Sequence, residues 1–366
     1  MDGYVDQAMF TYQGNKRKII NFIEEQVCYV KEALGKDRLK ILDGFTGSGV
    51  VARMLSLHAL EVHTNDMELY ADIAARCFVQ MPTEPQKAEI ERHIVSMNEL
   101  AAHGPYVEGL LTTHYAPLDT EDPQPGEICF YTRENALIID TLRAYIESTV
   151  PPDLRNWCLG PLLVKAMVHS NTMGHTQGFF KRDGVGYFHI TDNHWNNRMN
   201  KKVRVECPIW RANECKVVCH NKNINKLVKE LEPHFDLIYY DPPYNKRDYS
   251  VMYSLLNVVA LNEKPAVWSD ITHLPKLPSS RDRSDYNVER RAVAAMTELI
   301  RDSLKIASYL LISYNEEGLI GSKKWKEILE PYEYRLLQKD HKRYKCRGVD
   351  APVKIKEILY LVSNKG

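Results

Sequence analysis

The stretch Phe235–Tyr240, FDLIYY, runs straight into Asp241-Pro242-Pro243-Tyr244. A short, mostly apolar run stopped by a turn motif suits a buried strand, the kind found in helix-covered parallel sheets. A second run of this kind, RLKILDGF at 38–45, enters Thr46-Gly47-Ser48-Gly49 and then a helical stretch at 50–57. Further strands are expected at 61–64, 215–218, 309–313 and 358–362. Apolar spacing predicts helices over 19–34, 69–79, 133–148 and 154–168, the first closed by Gly35 as a C-cap. Strands alternating with helices make an α/β sheet. The alternation lapses after residue 80. The chain there turns acidic and Pro-bearing up to Gly126, and from 171 to 200 it is rich in Gly, Asn, His and aromatics. That lapse marks an inserted second region.

Composition narrows the class. At 366 residues, 44% hydrophobic and 26% charged, the chain affords a large core without staples. No apolar run approaches the ~18 residues that span a bilayer, and the N-terminus has no apolar signal core. The eight cysteines form no CxxC pair. These features predict a cytoplasmic protein. Cys207, Cys215, Cys219 and His220 match no familiar zinc spacing, so no metal is expected.

Net charge is zero but unevenly spread. Residues 61–127 hold 13 acidic and 3 basic side chains, 181–230 hold 5 and 11, and 335–356 hold 2 and 8. Two basic stretches against one acidic stretch predict a basic face that favours polyanions. The acidic stretch is expected to face away from such a ligand or to serve a partner protein.

Three motifs carry chemistry. After a buried strand, Asp241 offers a carboxylate, Pro242 a carbonyl held in a stiff Pro-Pro backbone, and Tyr244 an aromatic face. Together they suit a planar heterocycle with an exocyclic amine, whose two hydrogens Asp241 and the Pro242 carbonyl accept. The turn Asp43-Gly44-Phe45-Thr46-Gly47-Ser48-Gly49 permits close backbone approach to a ligand at a helix N-terminus. It lacks both the GxGxxG spacing and the P-loop lysine. Asp66 follows about 20 residues later, at the end of the next strand, where an acid commonly takes ribose hydroxyls. The pair suggests an adenosine-containing ligand without a pyrophosphate. The third motif, FTYQGNK at 10–16, places an aromatic, a glycine and a lysine in a loop.

Taken together, YQGNK, DGFTGSG and DPPY, in that order with a long middle region, resemble the alpha-class N6-adenine DNA methyltransferases. The resemblance extends to DPPYNKRDYSVMYSLLN, to Ser313–Gly318 (SYNEEG), and to CFYTRENALIIDTLRAYIE and SNTMGHTQGFFK in the middle region. It implies a Rossmann-like class I methyltransferase sheet with an inserted, mostly helical and loop-rich target-recognition domain. The expected divisions are 1–80 and 214–366 for the catalytic domain and 81–213 for the insert.

The resemblance also implies S-adenosylmethionine as cofactor and duplex DNA as partner, with a cognate restriction endonuclease or another defence-system subunit as a further one. Phe45, Gly47 and Gly49, with Asp43, Thr46 and Ser48 of the same turn, would line the cofactor's methionine end. Asp66 would hold its ribose, and Tyr12, Gly14 and Lys16 would close the pocket. Asp241, also beside the cofactor, would hold the target base with Pro242, Pro243 and Tyr244. Where the family often has an acid to bind the cofactor's adenine, this chain has Asn223, whose oxygen could accept the same amine.

The expected reaction is direct methyl transfer to N6 of a flipped-out adenine. Specificity is expected in 175–204, with Lys181, Arg182, Arg198, Lys201, Lys202 and Arg204 as DNA contacts. N4-cytosine or RNA base methylation, or a silent nucleic-acid-binding subunit, are the alternatives.

Overall fold

Strand β4 (Phe235–Tyr240) is buried at all six positions. It sits near the middle of a seven-stranded sheet with β1 (Leu39–Asp43), β2 (Ala59–Asn65), β3 (Lys216–His220), β5 (Ala307–Asn315), β6 (Glu333–Lys342) and β7 (Lys354–Ser363). The order is β6-β7-β5-β4-β1-β2-β3. The first five strands pair in parallel, and β7 runs antiparallel to both β5 and β6. This arrangement, with one reversed strand near the edge, is the class I methyltransferase sheet. The computed structural model describes every residue except 1, 2, 8, 11–13, 173, 189–197, 212, 213, 233, 265, 266, 269–274, 277–283, 343–353 and 366.

From β1 the chain goes outward to β2 and β3, then crosses back to β4 on the other side of β1. The order reverses there, and a crevice opens at the carboxyl ends of such strands. Asp43 ends β1 and Asp241 follows β4, so both polar motifs leave the sheet at this reversal. Helix α1 (Ile20–Leu34) buries Ile20, Phe22, Ile23, Val27 and Val30, and ends on Gly35 at φ 62°. Helix α2 (Val50–His58) starts from Gly49 at φ 82° and is buried over its first seven residues. Helices α3 (Ile224–Glu230), α4 (Glu289–Ser303) and α5 (Ser322–Leu329) share an apolar core with β4, β5 and β7.

Strand β6 was not expected from the sequence. EYRLLQKDHK has no apolar run, because an edge strand needs only one well-packed neighbour. Its identity comes from a ten-pair ladder with β7.

The chain divides into two compact units. The sheet belongs to 15–67, 211–248 and 283–366; the other unit comprises 1–14, 68–210 and 249–282. The second unit is mainly helical, with helices Leu69–Phe78, Glu84–His103, Arg133–Thr149, Arg155–Val168 and Ser254–Leu261. These cuts differ from 1–80, 81–213 and 214–366, for reasons visible within the helical unit. A Cβ on Gly160 would lie 2.5 Å from Cys77, so helix Leu69–Phe78 packs closely on Arg155–Val168. The Arg143 guanidinium donates to the Val259 and Ala260 carbonyls at 3.1 and 3.2 Å, which ties in Ser254–Leu261.

Helix Glu84–His103 lies where no regular structure was expected. It is polar overall and buries only Ile90, Ile94, Met97 and Ala101. That spacing is helical, and Thr83 with Gln86 forms a capping box. Among the described residues no helix is long and apolar enough to cross a membrane.

Candidate active site

Within the sheet-bearing unit, the Gly44 N–H donates to the Tyr239 carbonyl at 2.9 Å, so the turn after β1 begins on β4. Position 44 tolerates no side chain: a Cβ there would come within 2.4 Å of the buried Tyr240 ring. Phe45 then packs edge-on against Tyr286 and Tyr240, with ring centroids 5.2 and 5.9 Å apart. The Thr46 N–H donates to the Asn65 carbonyl (2.9 Å), and the Asn65 N–H donates to Thr46 Oγ1 (3.1 Å). Gly47, at φ 52°, donates its N–H to Asp66 Oδ2 at 2.8 Å. Thr46 and Ser48 are buried, and Gly49 opens α2. The glycine turn and Asp66 therefore meet.

Asn65 was not singled out from the sequence. Its carboxamide donates to the Gly44 and Lys222 carbonyls, both at 3.1 Å, and accepts from the Lys222 N–H. It knots the ends of β1, β2 and β3 together. Asn223 sits just beyond, as the N-cap of α3, where its oxygen accepts from the Asn225 and Lys226 amides at 3.0 and 3.3 Å. An amide oxygen has two lone pairs. The contact expected from Asn223 to a cofactor adenine would therefore have to replace a capping bond.

Lys16 lies in a short 3-10 turn, Lys16–Ile19, whose N-cap is Asn15. Its ammonium sits 2.8 Å from Asp241 Oδ1 and 3.2 Å from Glu357 Oε1, with the lysine side chain only 5% exposed. Ser313 Oγ donates to the same Glu357 oxygen at 2.9 Å. Burial works against the Lys16 charge, but Asp241 and Glu357 outweigh it and hold its pKa well above the ordinary lysine value. Burial pushes Asp241 up to about 6, with Lys16 opposing and Glu357 adding to the rise. Asp43 is completely buried. Its Oδ1 accepts weakly from the Phe45 N–H, while Oδ2 has no hydrogen-bond partner among the described residues. Burial, then the nearby Asp241 and Asp66 charges, hold the Asp43 pKa well above the carboxylate range.

The segment after Asp241 is braced from two sides. The Tyr244 carbonyl accepts from the Leu319 N–H at 2.9 Å, and its ring meets Tyr314 edge-on at 6.2 Å. Tyr314 is wedged in turn by Gly318, where a Cβ would lie 2.3 Å from the ring. This explains the SYNEEG stretch: it supports Tyr244. Asn287 donates to the Asn245 and Arg247 carbonyls at 2.9 and 2.7 Å and fixes the loop that follows. Pro242 is buried and Pro243 half-buried. No local pattern in the sequence marks Asn287 or Glu357, since both are distant in the chain from the motif they serve.

Tyr12 lies outside the described residues. Gly14 belongs to the helical unit and adopts φ 82°. In that unit Lys181–Arg182 and Val185–Gly186 form a hairpin whose turn residues, Asp183 and Gly184, both have positive φ. Both cations are exposed, with Lys181 4.8 Å from the Phe179 ring centroid and Arg182 5.2 Å from that of Tyr187. Arg198, Lys201, Lys202 and Arg204 are exposed too, and Lys202 pairs with Glu134 at 2.8 Å. Two asparagines pin this strip. Asn135 holds the 199 and 201 carbonyls and the Val203 N–H, and Asn98 holds Val205 by both backbone groups. Val203 and Val205 turn inward, so Lys202 and Arg204 turn outward.

A class I methyltransferase sheet with a glycine turn beside a DPPY motif defines an amino-methyltransferase. The chain belongs to the D12 class N6 adenine-specific DNA methyltransferases, whose family model matches residues 12–318. It carries out site-specific methylation of adenine in DNA with S-adenosylmethionine as cofactor. It is 27% identical over 343 residues to the type II methyltransferase M.NlaIII of Neisseria lactamica, covering 92% of each chain. It is 22% identical over 358 residues to the type II methyltransferase M.CviAII of Paramecium bursaria Chlorella virus 1, covering 96% of this chain and 97% of that one. The modification methylase StsI of Streptococcus sanguinis is 25% identical over 368 residues; this chain aligns over 97% of its own length but spans about half, 52%, of that protein.

Proposed function

We propose that the chain is the modification enzyme of a type II restriction-modification system, acting in the cytoplasm beside a cognate endonuclease. It falls in the class of site-specific adenine DNA methyltransferases. Its target adenine is swung out of the duplex, at a cost of a few kcal/mol, and the base seats against Asp241, Pro242, Pro243 and Tyr244. The observation that carries this reading is the adjacency of β1 and β4, which starts the glycine turn on the strand that ends in DPPY.

The residues present fit the cofactor. Asp43 Oδ2, buried and without a partner among the described residues, suits the cationic amine at the methionine end of S-adenosylmethionine. Phe45, Thr46, Gly47, Ser48 and Gly49 line that end, and Asp66 takes the ribose. When bound, the cofactor supplies an electrophilic methyl group on a positively charged sulfur. The protein's part is to shape the nucleophile. N6 of adenine is a weak nucleophile because its lone pair is spread into the ring. Asp241 and the Pro242 carbonyl accept hydrogen bonds from its two N–H groups and draw the lone pair back to nitrogen, while Tyr244 stacks on the ring.

The test is to incubate the protein with methyl-labelled S-adenosylmethionine and mixed-sequence duplex DNA, with RNA in parallel, and to identify the labelled nucleoside. N6-methyladenine in DNA is expected. Label in cytosine or in RNA would overturn the substrate, and no label with no cofactor binding would indicate a silent subunit.

The exposed cations of the helical unit form the DNA surface in this reading. Lys181→Ala and Arg182→Ala should each weaken binding across sequences and lower the salt-dependence slope by about 1. Lys202, already paired with Glu134, should contribute less. Binding titrated against salt measures this, and an unchanged slope would remove the hairpin from the interface.

A further inference from the structure

Lys16 is nearly sealed from water and lies between two carboxylates, Asp241 and Glu357. One of them has a role in the proposed chemistry and the other has none. Glu357 comes from β7, where it pairs across the sheet with Asn315 of β5, and it is itself 3% exposed. Its Oε1 is held from two sides, by the Lys16 ammonium at 3.2 Å and the Ser313 hydroxyl at 2.9 Å. Burying a second carboxylate beside Asp241 is costly unless it is paired.

The Asp241 carboxylate has two competing demands. It must hold Lys16, and it must turn its acceptor capacity to the amine of the target base. An ammonium with Asp241 as its sole counter-ion would hold that carboxylate and compete with the base for it. With a second counter-ion on a rigid strand, Lys16 keeps its place and its charge while Asp241 engages the base. We propose that Glu357 is a positioning residue for methyl transfer: it anchors Lys16 from β7 and so frees the Asp241 carboxylate to accept from the substrate amine. This rests on the assignment of Asp241 to the base, and it adds a residue from the reversed strand of the sheet to the working site.

Glu357→Gln tests it in the full-length protein with duplex DNA and S-adenosylmethionine. Glutamine keeps the volume and an acceptor for Ser313 but removes the charge. With Lys16 drawn wholly onto Asp241, kcat should fall by about tenfold to a hundredfold, the scale of a misplaced group. KM for DNA and for the cofactor should stay within about twofold, because only the arrangement at the reacting amine changes.

The pH profile gives a second readout. The charged and titratable groups facing Asp241 are Lys16 from its 3-10 turn, Glu357 from β7, and Asp43 and Tyr239 from the ends of β1 and β4. Removing the Glu357 charge stabilises the Asp241 carboxylate, so the acid limb of kcat/KM should move to lower pH. Glu357→Asp should restore much of kcat and return the limb. A purely structural ion pair would lower the melting temperature and leave kcat on the pH plateau at the wild-type value.

Wild-type kcat on the pH plateau in folded Glu357→Gln would overturn the proposal, whether or not the acid limb moves. If that variant does not fold, Ser313→Ala carries the test. It leaves the charge but loosens its hold, so kcat should fall more mildly at unchanged KM, and wild-type kcat there would overturn it. Asp241→Asn, measured in parallel, separates the two failures. An active Asp241→Asn refutes the reading of Asp241 itself. An inactive Asp241→Asn beside an unaffected Glu357→Gln refutes only the role of Glu357.

Discussion

Asp241→Ala should abolish methyl transfer while leaving the fold intact. The expected loss in kcat is at least about 10²–10³-fold, the range seen when one preorganised hydrogen-bonding group is taken from a transition state. The fold should survive because Lys16 retains Glu357, 3.2 Å away, as a counter-ion. Asp241 works as an acceptor, so its ionised form is the active one. Burial has pushed its pKa up to about 6. For the wild-type enzyme kcat/KM should therefore rise with pH through about 6 and level off above it, and Asp241→Ala should lack that limb. Near-wild-type turnover in a folded Asp241→Ala would refute the mechanism.

Lys16→Met should damage both activity and stability, and the stability loss should depend on pH. Methionine fills the space but leaves Asp241 and Glu357 facing each other without a cation. Breaking a buried pair from one side costs about 3–5 kcal/mol. The sign follows from linkage. Without Lys16, burial and the Glu357 charge hold the folded-state pKa of Asp241 further above its unfolded value. The fold then disfavours the charged carboxylate, so the penalty is complete above that folded pKa. It fades as pH falls toward the unfolded one, where Asp241 is protonated in both states. Thermal unfolding of wild type and Lys16→Met should thus diverge at pH 8 and converge toward pH 4. A gap independent of pH would mean that packing, rather than charge, is what Lys16 supplies.

Lys16 also shows how far the sequence could be read. As a letter in YQGNK it is a lysine in a loop, and only the resemblance to a family drew notice to it. Its burial and its two carboxylate partners come from opposite ends of the chain, and no local pattern records them. Asn65, Asn135 and Asn287 were missed for the same reason. Each spends its carboxamide on backbone groups of remote segments, and a single polar residue carries no periodicity. Asn223 shows the opposite case, since a local rule explains it well: it is the N-cap of α3.

Helix Glu84–His103 is only faintly legible, because its capping box and four inward residues are a weak signal in an acidic stretch. Strand β6 was hardly legible, since a solvated edge strand is specified by its partner.

The sequence by itself determined the strands buried on both faces, the two polar motifs at their ends, and hence the fold class and the chemistry. Those features depend on residues close together in the chain, where apolar period, turn residues and caps act directly. The tertiary structure alone decided that β4 lies beside β1, and that β7 returns antiparallel to bring Glu357 to Lys16. It alone decided that Gly44 must be bare against Tyr240. These outcomes depend on how strands are ordered and packed across the sheet, and packing joins residues that the chain keeps far apart.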